Sequence, residues 1–563
     1  MKKYTTSQTL FWLFLSMSLA SIYGILSLKQ AFAEPNLVHN DARQHIFWML
    51  RFIDPNLFPN DLIADYFQSV APRGYTIVYK LGIILGINPF DLAKIIPPIL
   101  GLFVTYYFFR LCLEILPIPA TGFIGCLIIN QALWLKDDLA SGTPRAFINP
   151  IFIAFLYYLV RHSRLGVCVT VAAIGLFYPQ YVFIAAIMLI LRVINWQNRS
   201  FKLTQNNRDY QILAWGLFVA FIVLLPYIIT SSEFGPTITR AEAMNSPEFF
   251  EGGRSRFFHD NFMDIWFTGR RSGMFHSSLF TPATQCVALL LPFLLIFPRQ
   301  FPLGRYITPQ VWVLLQLFIS SVLMFFASHA LLFRLHLPGR YTEFSFRIII
   351  ALLTAISLTL IWDTLLRVFK HNYGYRFYRY LAGSLMAIMV GIVLLYPAFV
   401  PYFPLVRYEK GRMTEVYDFF QQQPPDIVIA SLSAEADQLP TFAQRTVLMA
   451  REYAIPYHLG YYNQILARTL DMINAHYTDD LQTLQDFINQ YNVDFWLIDP
   501  AAFSPEYIKN NHWMLIFSEG QKALNLLENN SQFALYQQVN ICRVFEQPNW
   551  WIVDAKCILN NPG

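Results

Sequence analysis

Charge is what this sequence has least of. Only 14% of its 563 residues are Asp, Glu, Lys or Arg, whereas a water-soluble globular chain carries about 25% to keep its surface solvated. That shortfall excludes an ordinary soluble enzyme. Cysteine is also scarce, six in all, and none stands at metal-ligand spacing, which leaves out a structural zinc module. No glycine-rich phosphate loop, nucleophile elbow or zinc-helix motif occurs, no internal repeat is legible, and no nucleic-acid partner is expected. What is present is apolar: 55% hydrophobic residues, 17% aromatics and a mean hydropathy of +0.39. Such a composition suits a large helical bundle in lipid, its helices ending in aromatic belts at the interfaces.

The net charge of +5 conceals two regions of opposite sign. Residues 405–563 hold 10 basic and 18 acidic groups, while residues 1–404 hold 31 basic and 18 acidic. The first part carries the apolar runs: 10–28, 95–116, 119–135, 145–160, 165–179, 180–196, 211–230, 281–297, 309–328, 344–366 and 379–399. Ala31-Phe32-Ala33 before Glu34 imitates a signal cleavage site, but a 19-residue run exceeds a signal core of about 7–15 residues and matches a bilayer. It reads as an uncleaved first transmembrane helix. Lys2 and Lys3 and the basic connectors 161–164, 192–208, 299–305 and 367–379 then belong on the cytoplasmic side of a plasma membrane. For that alternation to hold, 72–90 cannot span and must be a juxtamembrane or re-entrant helix. The expected fold is an α-helical integral membrane bundle of about 11 transmembrane helices. Its outer connectors are 29–94, 136–144, 231–280 and 329–343. Residues 405–563 form a soluble extracytoplasmic α/β domain, with strands at 426–430 and 493–498 and amphipathic helices at 411–423 and 479–491.

Polar chemistry therefore concentrates on the outer face. The first connector carries His39, Asp41, Arg43 and His45, then Arg51, Asp54, Asp61 and Asp65. An acid held there against apolar surface can take a proton from a hydroxyl nucleophile, and Asp41 is the candidate base. Asp54-Pro55 and Asn60-Asp61 are turn and helix-start sequences. The adjacent carboxylates of Asp137 and Asp138 suit a hard divalent ion, sugar hydroxyls or a helix cap. Arginines on the same face run against the positive-inside trend. Arg240, Arg254, Arg256, Arg270, Arg271, Arg334 and Arg340, with His336, each need a reason to stand there. One such reason is an ion pair with Glu242, Glu251, Asp260, Asp264 or Glu343. In the tail, Arg445, Arg451, Glu452 and His458 are further polar candidates, with mutual Arg451–Glu452 pairing as the plainer account. Cys542 and Cys557 flank a hairpin turn at Asn549 as cross-strand partners would, and can oxidise outside the cytoplasm. Cys112, Cys126, Cys168 and Cys286 fall in spans as packing residues.

An acid-rich loop after the first span, a juxtamembrane segment beginning Pro72-Arg73-Gly74-Tyr75, a second acidic connector and a soluble tail together resemble the GT-C superfamily of polyprenyl-phosphate-dependent glycosyltransferases. The resemblance implies a polyprenyl-phosphate-linked sugar as donor and membrane lipids as surroundings. It implies Asp41 as the first-loop acid, a catalytic base or metal ligand, and Asp137 or Asp138 as the second acidic position. His39, Arg43, Arg254, Arg256, Arg270, Arg271 and Arg340 are the implied substrate contacts. A first-loop acid that reads Asn40-Asp41 rather than an acidic pair leaves Mg, Mn or metal-independent action open, and the acceptor is undefined. One base and no second carboxylate nucleophile imply a single inverting displacement. A flippase of lipid-linked sugar would instead need charges within the spans, where Glu114 and Asp363 are nearly alone. A non-catalytic scaffold of the same fold would tolerate loss of the loop acids.

Overall fold

The computed structural model describes residues 5–197, 200–229, 233–276, 278–370 and 376–561. Lys2 and Lys3 lie outside the described residues. The first apolar run is helix α1 (Thr6–Ala31), started by a reciprocal capping box between Thr5 and Gln8. The loop that follows is built of a short strand β1 (Leu37–His39) and helices α2 (Asn40–Ile46), α3 (Leu62–Val70) and α4 (Arg73–Ile84). Helix α4 is 12 residues long, about 18 Å at 1.5 Å per residue, too short for a bilayer core. Its Tyr79 hydroxyl donates to the Gly142 carbonyl at 2.9 Å, which holds it against the second connector. Gly142 has φ +61°, and a Cβ there would meet the Ala93 carbonyl at 2.7 Å, so only glycine lets the connector pass this close.

Helix α5 (Pro89–Ile115) begins at Pro89 rather than near 95, because Asn88 caps it and Pro89 is preset for the first turn. Asp91 and Lys94 thus belong to the helix, not to the loop. Then come α6 (Pro119–Trp134), α7 (Ile148–Val160), α8 (Arg164–Phe177), α9 (Tyr181–Arg192), α10 (Asn207–Ile229), α11 (Arg240–Met244), α12 (Leu291–Ile296), α13 (Trp312–Ala330), α14 (Pro338–Lys370) and α15 (Arg376–Leu395). Among the described residues six helices, α1, α5, α10, α13, α14 and α15, are long and apolar enough to cross a membrane. The other expected spans are helices too, but shorter. The expected 180–196 run ends as a helix at Arg192, and its remainder forms a hairpin of β2 (Ile194–Gln197) and β3 (Ser200–Leu203). Helix α14 is the central pillar: 83% of its most apolar window is buried, against 17% for α10 and α15.

The tail begins with β4 (Tyr408–Lys410), which leaves its own region to pair antiparallel with β1. The remainder surrounds a sheet of order β6-β5-β7-β9-β8, formed by β5 (Val428–Ala430), β6 (Thr446–Val447), β7 (Phe495–Ile498), β8 (Arg543–Gln547) and β9 (Trp550–Asp554). Strands β6, β5 and β7 run parallel and β9 and β8 antiparallel. The two strands expected from the sequence are neighbours, Ile429 opposite Phe495. The amphipathic helices lie at Thr414–Gln421 and Leu481–Tyr491. Cys542 and Cys557 are joined, though not as cross-strand partners: they occupy the helices Ala534–Cys542 and Ala555–Asn560 that flank the hairpin.

Candidate active site

The site is assembled from the first loop outward. His39 ends β1 opposite Tyr408 of β4, with the two rings edge to face. It then caps α2, its Nδ1 accepting from the Asp41 amide at 3.1 Å. Because Nδ1 accepts, the proton sits on Nε2, which donates to Asp137 Oδ1 at 2.7 Å. Asp41 stands in the first turn of α2, and its Oδ2 lies 2.8 Å from Nη2 of Arg145. The same Nη2 donates to the Asp137 carbonyl at 3.3 Å and lies 3.8 Å from its carboxylate. Arg407, just before β4, lies 3.9 Å from Asp137 from the other side. Asp137 holds a left-handed φ of 64°, which turns it toward the first loop and leaves its neighbour facing elsewhere.

Asp41 lies deep in the fold, yet its side chain is 37% exposed, so it borders open space rather than packed protein. Loss of water would raise its pKa, but Arg145 foremost, followed by His39, His45 and Arg340, holds it well below the usual carboxylate range. It is ionised at neutral pH. Nearby, burial and then Arg145 push the His45 imidazole down to about 4.

Arg270 belongs to the same group of charges. Burial, followed by the charges of Arg340 and Arg271, pushes its pKa down, while Asp41 pulls the other way. No ion pair engages it among the described residues. Arg340 comes from the first turn of α14 and pairs with Glu343 at 2.7 Å; His276 is 3.6 Å from the same carboxylate. The Gly339 amide donates to the Arg271 carbonyl at 3.0 Å, docking the 231–280 loop on the start of α14.

Of the residues singled out from sequence, Asp41, Asp137 and His39 meet through Arg145 and their own hydrogen bonds, and Arg340 and Arg270 are among the charges that act with Asp41. The others do not join them. Asp138 turns inward to pair with Arg347. Arg43 donates to Asn40 at 2.7 Å rather than to Asp41. Arg254 pairs with Glu452 at 2.6 Å, not with an acid of its own loop, which also replaces the expected Arg451–Glu452 pair. Arg256 pairs with Glu251 at 3.4 Å. Arg271 donates to the carbonyls of Arg254 and Arg256. These last contacts hold the 231–280 loop to itself and to the tail. Asp61 caps α3 through the Ile63 and Ala64 amides, and Asp54 accepts from the Asn56 amide at 2.9 Å. His458 lies 3.0 Å from the Tyr66 hydroxyl.

Sequence reading missed Arg145, Arg407, Arg347 and Lys136. Arg145 sits beside Pro144 at the end of the second connector, and its signal was the one applied to the other arginines, a cation on the side where the rule disfavours it. Arg347 lay inside an expected span. Lys136, driven down to about 7 by burial and then by Arg347, was passed over as a connector charge.

The carboxylates do not suit a divalent ion. Asp41 is taken by Arg145, one Asp137 oxygen by His39, and Asp138 by Arg347. No three His, Cys, Asp or Glu side chains converge to hold a metal among the described residues.

No protein-family model matches the sequence, nor does any curated protein. Solved structures do. The archaeal oligosaccharyltransferase AglB from Archaeoglobus fulgidus, in complex with an inhibitory peptide and a dolichol-phosphate, superposes with a TM-score of 0.52 at 12% identity, over 91% of this chain and 72% of that one. The apo form of the A. fulgidus oligosaccharyltransferase gives 0.51 at 12% identity, over 90% and 72%. The chain therefore shares the overall fold of that oligosaccharyltransferase.

Proposed function

We propose that this membrane protein is a glycosyltransferase that moves a sugar from a polyprenyl-phosphate donor to an acceptor hydroxyl. The observation that carries the reading is an Asp41 partly open to solvent and held by Arg145, with Arg340 and Arg270 among the charges that act with it; among the described residues no carboxylate pairs with Arg270. Asp41 takes the acceptor proton as the hydroxyl attacks the anomeric carbon. Arg270 and Arg340 receive the departing lipid phosphate, which an arginine holds by two hydrogen bonds with a charge it cannot lose. The sugar–phosphate bond breaks as the new glycosidic bond forms, in one displacement that inverts the anomeric carbon. An acid held far below neutrality is a weak base; a donor phosphate seated on Arg270 and Arg340 offsets their positive charge and raises its basicity when both substrates are present. The dolichol-phosphate held by the similar oligosaccharyltransferase structure supports a lipid phosphate as the donor class.

The topology that fits has about eleven spans, residues 1–404 forming the membrane part, residues 405–563 an extracytoplasmic domain, and the N-terminus in the cytoplasm. Asp41→Asn tests the chemistry. Asn keeps the size and an acceptor oxygen but takes no proton, so sugar transfer in reconstituted vesicles falls by about 10²-fold or more. Activity within a few-fold of wild type overturns the reading.

A further inference from the structure

We infer that Arg145 is the resident cation of this site, its guanidinium occupying the position between the Asp41 and Asp137 carboxylates that a divalent metal would otherwise take. The inference rests on the glycosyltransferase reading for its meaning, but its test measures metal binding and can fail separately.

Three observations carry it. First, Arg145 connects both acids: Nη2 lies 2.8 Å from Asp41 Oδ2, 3.3 Å from the Asp137 carbonyl and 3.8 Å from Asp137 Oδ2. Second, the other coordinating oxygens are engaged, Asp137 Oδ1 by His39 at 2.7 Å and Asp138 by Arg347. A hard divalent ion is held by carboxylates that are not already paired with other groups; of the Asp41 and Asp137 oxygens, only Asp41 Oδ1 is left without such a partner among the described residues, too few to anchor one. Third, the local charge is already balanced. Arg407 stands 3.9 Å from Asp137, and Arg340 acts on Asp41 from α14. A further divalent cation would be repelled by this ring of guanidiniums.

Arginine suits the position because its planar fork binds two oxygens in fixed directions and stays charged at any pH the protein meets. Pro144 starts the short 3-10 turn Pro144–Phe147 that presents it. Gripping Oδ2 alone leaves Oδ1 of Asp41 for the acceptor hydroxyl, so Arg145 acts as a positioning residue that orients the base.

Mn2+ binding to the purified full-length protein in detergent, followed by electron paramagnetic resonance, is the test. Wild type takes up no Mn2+ that Asp41→Asn removes, and Arg145→Lys behaves the same. Arg145→Glu, which deletes the cation and adds a third carboxylate between the two acids, gains one Mn2+ per chain at least about tenfold tighter than any wild-type binding. Adding Asp41→Asn to that variant abolishes the gain. A wild-type Mn2+ site lost in Asp41→Asn overturns the inference, and this arm decides even if Arg145→Glu does not fold. A folded Arg145→Glu that gains no site overturns it as well, because the acids would then not converge on this position.

Discussion

The Arg145 guanidinium lies 2.8 Å from the Asp41 carboxylate, and this ion pair, with the His39–Asp137 and Tyr79–Gly142 hydrogen bonds, joins the first loop to the second connector. Each side chain sits on a short turn, Asp41 at the start of α2 and Arg145 in the 3-10 turn after Pro144. Helices α1, α5 and α6 hold the two loops at one end of the bundle, and the ion pair then sets where the base points.

Asp41→Asn, Asp54→Asn and Asp61→Asn separate chemistry from architecture. The first loses sugar transfer by about 10²-fold or more and keeps its unfolding temperature. Asp54→Asn and Asp61→Asn keep transfer, and Asp61→Asn, where Asn can still cap α3, costs at most about 1 kcal/mol. Transfer assays and thermal unfolding of the three proteins, run side by side, check the set. Equal loss in all three would make Asp41 a structural acid.

Arg270 has no ion pair among the described residues, so Arg270→Ala leaves the thermal unfolding midpoint unchanged. Transfer falls by about 10–10²-fold through loss of a charge-assisted contact to the leaving phosphate. Arg270→Lys recovers part of it, since a point charge replaces the fork. Full activity of Arg270→Ala in a transfer assay would remove Arg270 from the phosphate site.

The Cys542–Cys557 bridge closes a segment of sequence separation 15. Replacing both cysteines with serine lowers tail stability by about 2–3 kcal/mol on the chain-entropy account. Thiol labelling of the denatured, unreduced protein finds Cys112, Cys126, Cys168 and Cys286 and no others.

Asp437 titrates within the contact between the tail and the first loop. Burial, then the Glu452 carboxylate, pushes its pKa up from 3.8 to about 7, against the opposing pull of Arg43 and Arg254. A raised acid pKa means the folded state binds the proton more tightly, so unfolding releases it, and stability falls as pH rises from about 4 to about 7. Asp437→Asn cannot ionise and retains an oxygen for the Glu452 amide, which the Asp437 carboxylate accepts at 2.9 Å. The variant therefore gains on wild type between pH 5 and pH 8 in thermal unfolding. A constant difference across that interval would show that Asp437 does not titrate there.

Lys80 is exposed on α4, its Nζ 4.4 Å from the centre of the Phe52 ring in the same loop. A cysteine at position 80 is labelled by a membrane-impermeant reagent in intact cells. Labelling only after permeabilisation would reverse the proposed topology.

Apolar runs and scarce charge suffice to read a helical membrane bundle, because a helix in lipid must satisfy its backbone internally and so announces itself by length and hydropathy. The apolar tail segments 426–430 and 493–498 announced β5 and β7. Start sites were less legible: Asn88-Pro89 began α5 ahead of its apolar run, a local capping effect that hydropathy does not register. The polar partners were least legible. Asp41, Asp137, His39, Arg270 and Arg340 could be named from the sequence, but residues far apart in sequence decided which of them meet. The backbone of β4, far along the chain, pairs with β1 and sets His39; His39 in turn orients Asp41 and Asp137. Arg254 bypassed the acids of its own loop for Glu452 of the tail. Hydrophobic period and charge bias are local properties that a sequence carries by itself. Which carboxylate an arginine reaches depends on distances that exist only once the loops are folded against one another.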